Sequence, residues 1–252
     1  MNIFINVNDN YLKYAAVMLF SLRKNNPDDE IKVYLLFADI SENHLNDFDR
    51  YLNKLSIELH PVRIERSLFG KFPETGRWTL ETYFRLLVPM MADDFMDRCL
   101  YIDADTIIDG SISELYNMDF SGKSLVACED IIVMNDRKDD VVFNAGVMLM
   151  NLQDIRKDYS FDRISLMIVN NPEKYPMLDQ DLLNEIYSER VLFIDPEIYN
   201  RQVDSYDADA NRNATIYHYS LSPKPWMANG NNEYFRLWWE YANKCEFYTS
   251  HV

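Results

Sequence analysis

The chain has 252 residues, 48% of them hydrophobic and 26% charged, and its 41 acidic side chains outnumber 25 basic ones for a formal net charge of −16. That length suits one large domain or two small ones with a proper core, and the composition argues against disorder as a global state. The acidic balance argues against a nucleic-acid binder, which needs cations to neutralise phosphates, and against adhesion to anionic membrane surfaces.

Apolar "IFINV" (Ile3–Val7) predicts a first strand, and Asn8, Asp9 and Asn10 after it are helix-capping residues. Leu12, Ala15, Ala16, Leu19 and Leu22 then recur at helical spacing. "NNPDDE" breaks that helix before a second strand, "IKVYLLF" (Ile31–Phe37). Ser41 caps a helix with Leu45, Phe48, Leu52 and Leu55 on one face, and "SIELHPV" reads as a third strand. This β-α-β-α-β alternation is the pattern of a sheet covered by helices.

Ile64 to Thr79 is irregular and holds Gly70, Pro73 and Gly76; a helix from about Leu80 to Met91 follows, bent or ended by Pro89. Apolar "CLYI" runs into "DADT". "SLVACED" and "FNAGVMLMN" predict strands, and "DIRKDYSFDRISLMIV" a helix. "DQDLLNEIYSE" is a short helix with acids in its first turn, where the helix dipole favours them. "VLFID" and "ATIYHYS" are late strands, and "NEYFRLWWEYANKC" is an amphipathic helix whose Trp238, Trp239 and Tyr241 cover either the core or a partner. No linker, repeat or low-complexity tract interrupts the chain, so the reading is one α/β domain over residues 1–252, with the oligomeric state open. Cys99, Cys128 and Cys245 form no CxxC pair, which fits reduced thiols in a cytoplasmic protein. No signal peptide and no membrane-spanning apolar run is expected.

"YIDADTI" carries the chemistry. Residues two apart in a strand point to one side, so Asp103 and Asp105 are expected to project together with Ala104 facing away. Paired carboxylates at the carboxyl end of a strand suit a hard divalent cation. The same string, D-x-D-x-T, also fits an aspartate-dependent phosphatase of the haloacid dehalogenase type, with Asp103 as nucleophile. A third reading is a strand ending in solvated acids.

Further residues bear on the choice. His218 ends a strand and offers an imidazole to a metal, and Lys224 stands six residues on between Pro223 and Pro225, a stiff turn that Trp226 anchors by packing. The bland alternative is a buried histidine and a surface turn. Gly146 permits close backbone approach to a ligand and Asn144 offers an amide to sugar hydroxyls, against the plainer reading of a buried bulged strand. Asp179, Gln180 and Asp181 open a helix and are otherwise ordinary first-turn polar residues. Thr82 and Arg85 share a helical face, with Arg85 either reaching a diphosphate or serving as a surface salt-bridge partner.

In order and together, "YIDADTI", "FNAGVMLMNL", "LDQDLLN" and the His-x5-Lys-Pro-Trp turn resemble family 8 retaining glycosyltransferases, the group of bacterial lipopolysaccharide galactosyl- and glucosyltransferases and glycogenin. The resemblance runs from "NVNDNYLKYAAVMLFSL" to "HYSLSPKPW". It implies a GT-A fold, with a mostly parallel sheet flanked by helices, a UDP-sugar donor, Mn²⁺ or Mg²⁺, and a glycan or glycolipid acceptor. It further implies that Asp103, Asp105 and His218 hold the metal and that Lys224 holds the diphosphate. Asn8, Asn10 and Tyr11 would meet uridine, and Thr82 and Arg85 would flank the donor. Ala104, Asn144, Ala145, Asp179 and Gln180 would line the nucleotide-sugar, with Gln180, Asp179 and Arg85 in catalytic roles and Asp130 toward the acceptor. Two positions depart from the pattern: Asn8 stands where relatives often have Asp, and Leu221 replaces a glycine in the phosphate turn. The basic, aromatic tail of some relatives is absent, so membrane attachment is not expected. The implied reaction moves glucose or galactose with retention, by front-face attack rather than through a covalent intermediate, because no strong carboxylate nucleophile is obvious. The phosphatase and a catalytically silent nucleotide-sugar-binding protein remain the alternatives.

Overall fold

A computed structural model describes residues 1–73, 79–132, 141–203, 213–227 and 233–251. Strands β1 (Asn2–Asn6), β2 (Ile31–Phe37) and β3 (Ile57–Arg63) pair in parallel, with Ile3 opposite Val33 and Ile31 opposite Ile57. β4 (Arg98–Ile102) lies parallel to β1 on its other side. Beyond it the sheet adds β6 (Leu125–Glu129), β7 (Phe143–Asn151) and β8 (Val191–Ile194), in the spatial order β3-β2-β1-β4-β7-β6-β8. Only β7 runs against its neighbours, so the expected α/β architecture with a mostly parallel sheet is what forms.

The apolar runs explain this arrangement. β2 and β7 are buried along nearly their whole length, as strands covered on both faces must be. One core cluster packs helix α1 (Leu12–Asn25), helix α2 (Glu42–Lys54) and the C-terminal helices on one face. The second packs residues 80–88 and the helices Phe161–Asn170 and Asp179–Tyr187 on the other. Ser41 caps α2 as expected, accepting from the His44 N–H. Trp238 and Tyr241 are buried in the first cluster, so the aromatic helix Glu233–Ala242 covers the core.

Several elements differ from the sequence reading. Leu80–Leu87 is a 3₁₀ helix leading into a short α-helix, Val88–Met91. Pro89 sits in the first turn of that α-helix, where its missing N–H costs nothing, rather than ending a helix. The stretch from Asp154 to Val169 divides: Leu152–Ile155 and Phe161–Asn170 are separate, because the Ser160 hydroxyl caps the second by accepting from Arg163 N–H. Residues 74–78 of the irregular segment, including Gly76, lie outside the described residues, as does Asn232.

A second, three-stranded sheet creates the site. β5 (Thr106–Ile108) and β9 (Arg201–Gln202) flank β10 (Ile216–His218). The chain leaves β4 at Ile102, turns through residues 103–105 and enters this small sheet, where His218 lies opposite Thr106. Asp103 and Asp105 therefore occupy a turn between two sheets and not consecutive outward positions of one strand. The turn is closed by Asp103 N–H donating to Gly146 O at 2.8 Å and by the Thr106 hydroxyl donating to Asp103 O at 2.9 Å.

Candidate functional site

A cavity of about 400 Å³ opens where β1 and β4 end. At its centre one ligating atom each of Asp103, Asp105 and His218 lie within 4.8 Å of one another. His218 Nε2 is 3.3 Å from Asp105 Oδ1 and 3.8 Å from Asp103 Oδ2. Two carboxylate oxygens and one imidazole nitrogen form a donor set that fits Mn²⁺ or Mg²⁺. Tyr101, two residues before Asp103 on β4, donates its hydroxyl to Asp103 Oδ1 at 2.7 Å and also touches the Asn6 side chain. Lys224 Nζ reaches Asp105 Oδ2 at 2.7 Å and the Tyr219 carbonyl. Burial works to raise the Asp105 carboxyl, but Lys224 and His218 outweigh it and hold the group far below the usual carboxylate range.

Gly146 makes this closeness possible. A Cβ there would lie far inside contact distance of His218 Cε1 and 2.8 Å from Asp103 Oδ2. The close approach expected of this glycine is thus to the two candidate ligands themselves.

Arg85 is only 9% exposed, which removes the surface salt-bridge reading. Its Nη1 donates to Ala145 O at 2.7 Å, its Nε donates to the Thr82 carbonyl, and its guanidinium stands over the Tyr101 ring. Asp179 Oδ2 lies 2.8 Å from Nε as an ion pair. That oxygen is buried against the guanidinium, and the ion pair is its partner among the described residues. Burial pushes the Asp179 carboxyl up, Arg85 pulls it back and Asp103 pushes it further, leaving it at about 7.

Both ends of Gln180 are engaged: its oxygen accepts from Ala145 N–H at 3.1 Å and its amide donates to Asp130 Oδ2 at 2.9 Å. Asp130 also accepts from Asn144 and from Gln202. Asn8, Tyr11, Thr82, Ala104, Lys224 and the groups just named line the cavity. Asn8 Oδ1 already accepts from Tyr11 N–H at 3.2 Å, capping the turn Asp9–Tyr11, so an arriving base would have to share that oxygen. Leu221 is absent from the residues with positive φ, so it turns its backbone without a glycine. Trp226 stacks on Tyr14 with centroids 4.0 Å apart and anchors the Lys224 turn as expected, helped by Trp239 Nε1 donating to Pro225 O.

Two expected site residues are not brought to this cavity. Asn10 is exposed and faces a neighbouring concavity with Tyr14, His44 and Trp226. Ala145 is buried, with its N–H held by Gln180 and its carbonyl by Arg85. Conversely, Tyr101 beside Asp103, Asn200 behind His218 and Gln202 in the lining are parts of the site beyond the residues expected from sequence. The two-residue period from Tyr101 to Asp103 was a usable signal; the other two sit in no motif.

Comparison with known proteins identifies the family and the fold. The model of glycosyl transferase family 8 matches residues 2–230. A Haemophilus influenzae relative is 32% identical over 206 residues, 77% of this chain and 61% of its own length, so the chain spans less than two thirds of it. The lipopolysaccharide 1,2-glucosyltransferase of Escherichia coli is 24% identical, covering 93% of this chain and 76% of that enzyme. In three dimensions the chain is similar to the galactosyltransferase LgtC, solved in complex with donor and acceptor sugar analogues, with a TM-score of 0.84, 24% identity and coverage of 98% and 96%. That likeness identifies the GT-A fold. No helix among the described residues is long and apolar enough to cross a membrane.

Proposed function

The chain belongs to glycosyl transferase family 8, and on that premise we propose that it moves a hexose, glucose or galactose, from a UDP-sugar to a hydroxyl of a glycan or glycolipid acceptor, with retention of anomeric configuration. The observation that carries this reading is the convergence of Asp103, Asp105 and His218 beside Lys224 in one cavity. The E. coli relative is named a glucosyltransferase and LgtC a galactosyltransferase, which supports a hexose without choosing between the two.

A divalent cation held by Asp103, Asp105 and His218 would supply positive charge against the diphosphate leaving group. The chain's own residues do the rest. Lys224 presents an ammonium from a proline-flanked turn toward the same diphosphate, where charge develops as the glycosidic bond breaks. Tyr11 offers a ring to uracil and Asn8 a polar edge, and Thr82 bounds the donor. Asp179 and Asn144 line the part of the cavity where the donor sugar would sit. Arg85 keeps Asp179 in place and neutralised. Asp130 anchors Gln180 and Asn144 on the acceptor side. Because both ends of Gln180 are engaged by the protein, it is a poor nucleophile, and front-face attack is the route that asks least of it. Family membership replaces the phosphatase reading of "IDADT", and Thr106 serves the turn rather than the chemistry.

A panel of UDP-sugars with Mn²⁺ tests the proposal. Release of free UDP is the expected result. Thermal stabilisation by a UDP-sugar with no UDP released would point to a silent binder, and phosphate release from a phosphomonoester would overturn the transferase reading.

A further inference from the structure

Behind His218 runs a chain of amide side chains whose first member, Asn200, has no task in the proposed transfer. His218 Nδ1 lies 2.9 Å from Asn200 Oδ1. Asn200 Nδ2 donates to Asn144 Oδ1 at 3.0 Å, and Asn144 Nδ2 donates to Asp130 Oδ2 at 2.9 Å. Asp130 in turn holds Gln180. Asn200 is 1% exposed and His218 2%, so water is poorly placed to replace a lost partner.

The direction of these bonds is set at the backbone. The Gly146 N–H can only donate, and it reaches Asn144 Oδ1 at 2.9 Å. The Asp130 carboxylate can only accept, so it requires the Asn144 –NH₂. Together these anchors allow Asn144 one orientation, with its oxygen toward Asn200. Asn200 must then turn its –NH₂ to Asn144 and its oxygen to His218. An oxygen opposite Nδ1 requires the proton there. In the neutral ring the lone pair is then on Nε2, the atom that faces Asp105 at 3.3 Å and Asp103 at 3.8 Å.

We propose that Asn200 is a positioning residue: anchored through Asn144 and Gly146, it fixes His218 as the Nδ1–H tautomer with Nε2 turned toward Asp103 and Asp105, and ties that histidine to Asp130 and Gln180 across the cavity. The proposal rests on Asp103, Asp105 and His218 being the metal ligands. A hydrogen-bond partner on the far imidazole nitrogen orients the ring and raises its basicity, an effect worth about 10- to 100-fold in metal affinity.

The test is Mn²⁺ affinity of the full chain, measured without any sugar nucleotide by the electron paramagnetic resonance of free Mn²⁺. Asn200→Leu, close in size but lacking both hydrogen bonds, is expected to weaken binding at least about tenfold. Asn200→Asp keeps the acceptor for Nδ1–H and loses the donor to Asn144. Its Mn²⁺ affinity should stay within about threefold of native while UDP release falls about tenfold or more. A merely structural role would lower both quantities together in both variants. Native Mn²⁺ affinity in Asn200→Leu, or an equal loss in both variants, overturns the proposal. Should Asn200→Leu fail to fold, ¹⁵N NMR of the native metal-free protein reads the tautomer directly. His218 is one of four histidines, and its signal is identified by its absence in His218→Gln. An Nε2–H tautomer overturns the proposal. If His218→Gln itself leaves Mn²⁺ affinity unchanged, the metal-site reading fails; if only Asn200→Leu leaves it unchanged, the role of Asn200 alone fails.

Discussion

One methyl group at Gly146 probes the whole ligand geometry. Among the described glycines only Gly122 has a positive φ, so Gly146→Ala meets no backbone penalty and its effect is steric. The new Cβ would stand 2.8 Å from Asp103 Oδ2, against the 3.4 Å at which ordinary contact begins, so that oxygen must retreat by 3.4 − 2.8 = 0.6 Å. His218 Cε1, which is closer, must move further. It has little room to do so, because Asn200 stands 2.9 Å behind Nδ1. Overpacking a filled core by one methyl costs about 1–3 kcal/mol, which lowers Tm by about 2–12 °C for a chain of this size. The more telling loss is in ligation, since both displaced groups are candidate ligands. Thermal melts with and without Mn²⁺ separate the two effects, because a bound ion raises apparent stability by mass action. The native protein should gain stability from Mn²⁺, and Gly146→Ala should lose most of that gain together with UDP release. An alanine variant that melts lower but keeps the full Mn²⁺-dependent shift would refute the reasoning.

Three further outcomes follow from the geometry. Asp105→Asn should abolish Mn²⁺-dependent UDP release; near-normal turnover would remove Asp105 from the metal group. Lys224→Met, which strips Asp105 of its ammonium partner, should lower the melting temperature in chelator and reduce UDP release by roughly 100-fold if its charge meets the leaving group, so a variant that loses only stability would confine Lys224 to an ion pair. Far from the cavity, the Ser124 hydroxyl, Arg190 and Lys157 hold the Asp154 carboxyl well below its usual range. A depressed folded pKa contributes stability that is present above the unfolded value of 3.8 and is lost as the pH falls through the folded one. Asp154→Asn should therefore cost only about 0.5–1.5 kcal/mol at neutral pH, since solvent screens these partly exposed partners, and converge with the native protein under strong acid; a difference that persists there would contradict the assignment.

The sequence made the large sheet legible because its strands are long apolar runs whose ends carry caps and breakers. β2 and β7 appear at the bounds read from "IKVYLLF" and "FNAGVMLMN". The small sheet was not legible in full. β5 has three residues and β9 two, too few for any periodicity to register. That gap had a chemical consequence. Without β5, the turn after β4 reads as more strand, which gives Asp103 and Asp105 a common side for a reason that does not apply. They do converge, but through Gly146, Thr106 and β10.

The site divides along the same line. Residues that would touch a ligand can be suspected from type and spacing, since a hard cation wants carboxylates and an imidazole and a phosphate wants an ammonium. Residues that aim those groups are generic. Asn200 and Gln202 lie in "YNRQV", which has no chemical signature, and their value arises only when β9 brings them beside β10. Even some expected residues changed meaning on folding: Arg85 became an internal brace and Ala145 a backbone anchor for Gln180, while Asn8 caps the turn as its type suggests. For Asp103 and Asp105 the decisive geometry likewise lies outside their own string. It comes from a histidine oriented by an asparagine, which is oriented by a second asparagine, whose direction is fixed by the N–H of the one residue in β7 that has no side chain.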